Sequence, residues 1–301
     1  VNHFCTISTH SHLYKTLALA DSVQNHGRSF VLHVLMVDGD KNYKAQNCVF
    51  YNLDDLTGND TAAQIIKKYK RASDKLRWSL KPVFLTHLLK NTDQKVVYVD
   101  NDQFFYNDYN FLFDLLSTHS ILLTPHYYKH NPVEQQNWLE ANYKVGLYNA
   151  GFLGASRSGI ETLEWWGNCC LYRCEKNALR GLFDDQKYLD LVPVIDKNAL
   201  VLRHQGCNVA GWNIELCKRT MVNGNVVINN EYPVVFVHYN AFTIRQIENG
   251  TDPLLAKMYE EYFMSLKKHK PDLNRANLIS TEPFIEKLKY YIWHTATSLG
   301  L

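Results

Sequence analysis

Asp100 and Asp102 stand one residue apart, with Asn101 between them, at the end of the apolar run Val96-Val97-Tyr98-Val99. Two carboxylates at that spacing on a rigid strand end can meet one hard divalent cation, which prefers oxygen ligands and keeps positions open for phosphates. A bare Asp-x-Asp is a weak signal, since Asp-rich turns are common; the strand context strengthens it. His238 closes a second apolar run, Val234 to Val237, far downstream. An imidazole beside two carboxylates suits Mn²⁺ or Mg²⁺, the nitrogen tilting the set toward manganese. Its ordinary alternative is a packed histidine at a strand end. Asp184-Asp185-Gln186 offers a further carboxylate and amide, which also read as an acidic helix N-terminus. Lys75, Arg77, Trp78 and Lys81 form a basic stretch just before the Asp-x-Asp strand, for which a solvated basic face is the ordinary role.

These residues need a scaffold, and the chain alternates strand and helix patterns. His3 to Thr9, Val31 to Val37, Phe50 to Leu53, Lys95 to Val99, Ile121 to Thr124 and Tyr148 to Ala155 read as strands. Helical spacing appears between the first two, over Ala62 to Tyr69, over Lys75 to Leu89 with Pro82 breaking or starting a helix, and from Gly159 to Cys174. This is the α/β signature of a mixed, mostly parallel sheet covered on both faces. Ligands bind such sheets beyond the carboxyl ends of strands, which singles out Ser8, Thr9, Asp38, Asp100 and Asp102 over polar residues in helices. Helix capping and turn chemistry are the competing roles for Ser8 and Asp38.

In 301 residues, 32 Lys and Arg face 30 Asp and Glu, so no long-range pull on nucleic acid is expected. Hydrophobic residues at 46% and charged residues at 21% exclude disorder and a bundle of membrane helices. Seven cysteines without a CxxC pair read as reduced thiols, and no export signal or bilayer-spanning run is seen, so a cytoplasmic location is the expectation. Past a soft boundary near residue 244 the composition turns to helices rich in Tyr, Lys and Glu, giving a domain over 1–243 and a helical C-terminal extension over 244–301. Its last stretch, Pro283 to Leu301, is basic and aromatic and suits docking on the parent domain or peripheral contact with an anionic membrane, such as the inner membrane surface.

A strand ending in Asp-x-Asp resembles the hallmark of the GT-A (Rossmann-like) nucleotide-sugar glycosyltransferases. Tyr148-Asn149-Ala150-Gly151-Phe152-Leu153 is similar to the Asn-Ala-Gly strand of family 8, the glycogenin-like and lipopolysaccharide galactosyltransferase-like enzymes. Asp184 to Leu189 resembles that family's Asp-Gln-x-x-Leu-Asn segment, and Val235 to Tyr239 its late strand with the metal histidine. The matches keep the family's order over residues 3 to about 243. The resemblance implies a retaining transfer of a hexose from a UDP-sugar or similar donor to a glycan, lipid-linked sugar or protein acceptor. Asp100, Asp102 and His238 would hold Mn²⁺ or Mg²⁺, and Asp185 and Gln186 would flank the anomeric carbon. Thr6, Ser8, Thr9, Asp38 and Asn101 would line the nucleotide, Asn149, Ala150 and Gly151 the donor sugar, and Lys81 the diphosphate. Trp212 and Asn213, in a turn-rich segment, are candidate acceptor contacts.

Some positions depart from that pattern. Asp190 stands where the family has Asn, and Ala241 and Ile244 fall where it has Gly and a diphosphate-gripping Lys. Arg245, one residue on, is a candidate replacement. Two other functions compete: a sugar-phosphate nucleotidyltransferase, disfavoured by the absence of glycine in Ser8-Thr9-His10-Ser11-His12, and a non-catalytic nucleotide-sugar-binding module.

Overall fold

Strands covered on both faces have no solvent side to fill with polar residues, so continuous apolar runs make the centre of this molecule. The computed structural model describes residues 1–39, 41–92 and 95–279. Its strands are β1 (Asn2–Ser8), β2 (Phe30–Met36), β3 (Cys48–Asn52), β4 (Val96–Val99), β5 (Gln103–Phe105), β6 (Ile121–Pro125) and β7 (Tyr148–Ala155). Shorter ones follow as β8 (Glu175–Asn177), β9 (Leu182–Asp184), β10 (Leu200–Val201), β11 (Arg219–Val222), β12 (Asn225–Ile228), β13 (Tyr232–Pro233) and β14 (Phe236–His238). The helices are α1 (Leu13–Asn25), α2 (Asp60–Tyr69), α3 (Ser73–Thr92), α4 (Asn110–Leu115) and α5 (Gln136–Lys144), then α6 (Ile160–Tyr172), α7 (Val192–Ile195), α8 (Ala241–Glu248), α9 (Ala256–His269) and α10 (Ala276–Ile279).

Seven strands form one sheet in the order β10-β6-β7-β4-β1-β2-β3. β4, β1, β2 and β3 are mutually parallel, whereas β7 runs antiparallel to both β4 and β6. From β1 the chain goes to β2 on one side and later returns to β4 on the other, which opens a crevice beyond their carboxyl ends. Antiparallel β7 begins at that same edge, so Asn149, Ala150 and Gly151 arrive beside the end of β4. The expected mixed, mostly parallel sheet flanked by helices is present. On one face Phe84 and Leu85 of α3 pack with Trp166 of α6; on the other, Phe4 meets Leu19 of α1 and Phe113 of α4.

Two elements differ from the sequence reading. α3 runs unbroken through Pro82. A proline inside a helix costs about 3 kcal/mol. Leu80, Val83, Phe84 and Leu85 are all buried around it, and at about 1.5–3 kcal/mol for each such side chain their burial outweighs that cost. The late strand is also shorter than expected and stays out of the main sheet. β14 pairs antiparallel with β5, so the far end of the chain reaches the first strands through a two-stranded ribbon.

Beyond β14, Tyr259, Tyr262 and Leu266 of α9 pack with Ala18 of α1 and Phe104 of β5. The basic aromatic stretch Pro283 to Leu301 lies outside the described residues. Among the described residues, no helix is long and apolar enough to cross a membrane, and all seven cysteines are free thiols.

One buried ion pair ties the late segments together. Arg219 Nε donates to Asp252 Oδ2 at 3.0 Å, and its terminal nitrogens donate to the carbonyls of Ala210 and Cys217. Replacing Asp252 by Ala strands a buried guanidinium, a change worth about 3–5 kcal/mol. Asp252→Ala is therefore expected to lower the urea midpoint strongly; a midpoint equal to wild type would contradict this role.

Candidate active site

Asp100 directly follows β4 and Asp102 directly precedes β5, with the turn between them closed by Gln103 N donating to Asp100 O at 3.1 Å. Asp100 N donates to Gly151 O at 2.8 Å, which fixes the turn against β7. In the β5–β14 ribbon Gln103 stands opposite His238, and Tyr239 N donates to Asp102 O at 2.8 Å. These backbone bonds bring His238 Nε2 to 3.1 Å from Asp102 Oδ1. One ligand atom from each of Asp100, Asp102 and His238 lies within 4.8 Å of the others. A hard cation with bonds of about 2.0–2.6 Å holds opposed donors roughly 4–5 Å apart, so the donor set and its spread fit one divalent ion.

The surrounding groups settle how each donor is presented. His238 Nδ1 lies 3.3 Å from Asn208 Oδ1, and a proton there leaves Nε2 free to ligate. Burial disfavours the charged form of both Asp102 and His238, but their mutual attraction wins: the Asp102 carboxyl is held well below its usual range and the His238 imidazole is raised. Tyr98 donates to Asp100 Oδ1 at 2.7 Å. Gly151 is required by space. A Cβ there would sit 2.6 Å from Asn149 Oδ1, 2.6 Å from His238 Cε1 and 2.9 Å from Asp100 Oδ2.

Lys81 lies beneath the carboxylates. Its ammonium is 3.2 Å from Asp185 Oδ2 and 3.4 Å from Asp100 Oδ1, and it donates to Ala150 O at 3.0 Å. Burial disfavours this ammonium, yet the two carboxylates keep it charged and raise its pKa. Asp185 is pushed up by burial, which the Lys81 charge only partly offsets. Its Oδ2 is the oxygen that faces the Lys81 ammonium. It starts a short 3₁₀ turn but does not cap it with its side chain, and its carbonyl accepts from Trp166 Nε1 at 2.8 Å. The sequence preference for Lys81 as an open anion contact thus meets a buried counter-ion. One turn earlier, Arg77 and Trp78 line a cavity of about 190 Å³ together with Lys81, Asp100, Asn101 and Asp102.

Asn149 is held by a histidine that the sequence reading passed over. His126 Nδ1 lies 2.9 Å from Gly146 O and so carries the proton; Nε2 then accepts from Asn149 Nδ2 at 3.2 Å. Burial keeps this imidazole neutral, its pKa down to about 3. Asn149 Oδ1 in turn accepts from Gly151 N at 3.0 Å. His126 is the first residue after β6, at the edge where ligand-facing residues are sought, and that position was its signal.

Other candidates are distributed as follows. Ser8 Oγ accepts from Thr16 at 2.8 Å and from Asn101 Nδ2 at 3.2 Å, joining α1 to the metal turn. Thr6 Oγ1 is buried and without a partner, Thr9 Oγ1 contacts His12 Nδ1 at 2.8 Å, and exposed Asp38 accepts from His10 N at 2.9 Å. Gln186 Nε2 donates to Val145 O at 3.2 Å, and Asp190 accepts from Leu147 N at 2.7 Å. Trp212 sets its ring edge-on to His238, 5.2 Å between centroids, with its Nε1 buried and unpartnered. Asn213 is fully buried, and its amide serves the backbone of its own segment, at Ala210 N and Asn208 O. Ile244 is buried in the core, and half-buried Arg245 on α8 is not among the residues lining the cavity.

No family model matches the chain. Among solved structures it resembles the galactosyltransferase LgtC, in complex with donor and acceptor sugar analogues, with a TM-score of 0.51 at 14% identity over 79% of this chain and 86% of that one. It resembles the bifunctional glycosyltransferase WbbM with a TM-score of 0.53 at 12% identity, over 88% of this chain and 49% of that one. The fold is that of GT-A glycosyltransferases. In sequence, two uncharacterised Bacillus subtilis (strain 168) proteins align nearly end to end: YfnD at 28% identity over 95% of both chains, and YfnF at 26% over 90% of this chain and 94% of its own. In this GT-A frame the Asp-x-Asp turn and His238 converge although they lie in distant parts of the sequence.

The Gly151 contacts generate a test. Gly151→Ala is expected to weaken Mn²⁺ binding by about tenfold or more in titration calorimetry while the far-ultraviolet circular dichroism stays unchanged, since the added carbon displaces ligands and not core. Undiminished Mn²⁺ affinity would show that these side chains do not form the metal site.

Proposed function

We propose that this protein is a metal-dependent glycosyltransferase that moves a hexose, with retention, from a UDP-sugar to a glycan, lipid-linked or protein acceptor. The observation that carries the reading is the convergence of Asp100, Asp102 and His238 at the crevice edge of the sheet. The fold shared with LgtC, whose structure holds donor and acceptor sugar analogues, supports it.

In this reading the two carboxylates and the imidazole hold Mn²⁺ or Mg²⁺, which when bound neutralises charge on the leaving diphosphate. The chain's own residues do the rest. As the C–O bond to the anomeric carbon breaks, positive charge grows on the sugar, and the Asp185 carboxylate, held at the site by Lys81, supplies the negative charge that steadies it. The Lys81 charge opposes the burial that favours a protonated Asp185, and their contact aims the carboxylate. Asn149, locked by His126 and Gly151 N, orients the sugar hydroxyls, and Gln186 lies beside Asp185 to do the same. The Asp185 pair with Lys81 favours this electrostatic role over that of a free acceptor-side base.

The test is release of UDP from UDP-hexoses, with and without a sugar acceptor. Activity is expected with Mn²⁺ and to vanish on chelation, and Asp102→Ala should lose roughly 10²-fold or more of the rate, the scale of removing one preorganised charge group. Turnover in chelator equal to that in Mn²⁺, or near-wild-type turnover of a folded Asp102→Ala protein, would refute the reading.

A further inference from the structure

A UDP-sugar brings a diphosphate to this edge, and the metal neutralises only part of its charge. The segment after His238 supplies no obvious cation: Ile244 is buried in the core, and Arg245 does not line the cavity. Lys81 is already engaged by two carboxylates and a carbonyl. The positive charge has to come from elsewhere.

Two side chains meet the requirement. Arg77 lines the cavity beside Asp100 and Asp102; one terminal nitrogen pairs with Asp74, while its Nε is buried with no partner. Lys15 comes from the first turn of α1, the helix that follows the β1 end. Its place is fixed by register, because Lys15, Ala18 and Ser22 fall on one helical face. Ser22 Oγ accepts from Phe105 N at 3.1 Å, and Ala18 packs in the cluster that contains Phe104. One turn earlier on that face, Lys15 reaches the level of Asp102, the residue just before β5; like Arg245 it lies outside the cavity lining, but its charge acts on Asp102. Half-buried, it makes no hydrogen bond and no ion pair with any described residue.

From this we infer that Lys15 and Arg77 form a two-cation cradle for the diphosphate of the donor, supplied by the start of α1 and by α3 instead of the segment after the metal histidine. The inference rests on the nucleotide-sugar reading and specifies which residues grip its anion. The mutual influence of the groups agrees with it. The Lys15 ammonium is lowered by burial and by Arg77, against the pull of Asp102. Neighbouring His12 is lowered to about 4, by burial first and then by Lys15 and Arg77. Two cations near enough to repel each other are poised for an anion: a diphosphate relieves their repulsion as it binds.

The experiment is titration calorimetry with UDP and, separately, inorganic pyrophosphate, each in the presence of Mn²⁺ at low salt. Lys15→Met and Arg77→Gln are each expected to weaken both ligands by about tenfold, the scale of one charge-assisted hydrogen bond, and the loss should shrink as salt rises. Lys15→Arg should recover most of the UDP affinity, and the exposed α2 control Lys67→Gln should match wild type. Mn²⁺ binding without phosphate should be retained in both variants, which separates loss of the cradle from loss of the fold. Wild-type UDP affinity in both Lys15→Met and Arg77→Gln would overturn the cradle and leave the transferase reading standing, as would a loss carried by Arg245→Gln in their place. A wild-type protein that binds neither UDP nor pyrophosphate would overturn both.

Discussion

Like charges crowded at a buried edge are the constraint on which this site depends. Asp100, Asp102 and Asp185 converge there, and carboxylates in low dielectric repel or protonate unless cations hold them. Lys81 bridges Asp100 and Asp185 from beneath, and His238 faces Asp102 from the opposite ribbon. Among the groups in direct contact, three carboxylates against one ammonium leave two negative charges when the imidazole is neutral, the charge that one divalent ion carries. The packing that buries Lys81, with Trp166 bonded to the Asp185 carbonyl, is therefore part of the site's electrostatics as much as of the core.

Topology delivers those groups without any long excursion of the chain. A purely parallel sheet would place the start of β7 at the far edge. Because β7 runs antiparallel to β4, Asn149 to Gly151 arrive at the end where Asp100 emerges. The β5–β14 ribbon does the same for His238. Gly151 sits where these pieces meet, and the contacts around its missing Cβ measure how closely the strands and ligands approach.

Much of this was legible in the sequence because the signals were local. The apolar run into Asp100 and the strand-helix alternation identify the sheet and its functional edge, and the resemblance in motif order brings in His238. The unread parts were non-local. A helix continues through Pro82 because buried Leu80, Val83, Phe84 and Leu85 outweigh the lost hydrogen bond, which no window of propensity weighs. Lys81 reads as a diphosphate contact or a solvated basic residue until α3 is seen to bury it against Asp100 and Asp185. His126 and Lys15 reveal themselves only when strand ends and helix register are aligned with distant residues.

Soaking a crystal with Mn²⁺ and UDP and collecting anomalous diffraction at the manganese edge addresses the central claim most directly. The account requires a single strong peak bounded by Asp100, Asp102 and His238, with the nucleotide's diphosphate in contact with it. A peak at other residues, or bound nucleotide with no metal between these three groups, would contradict it.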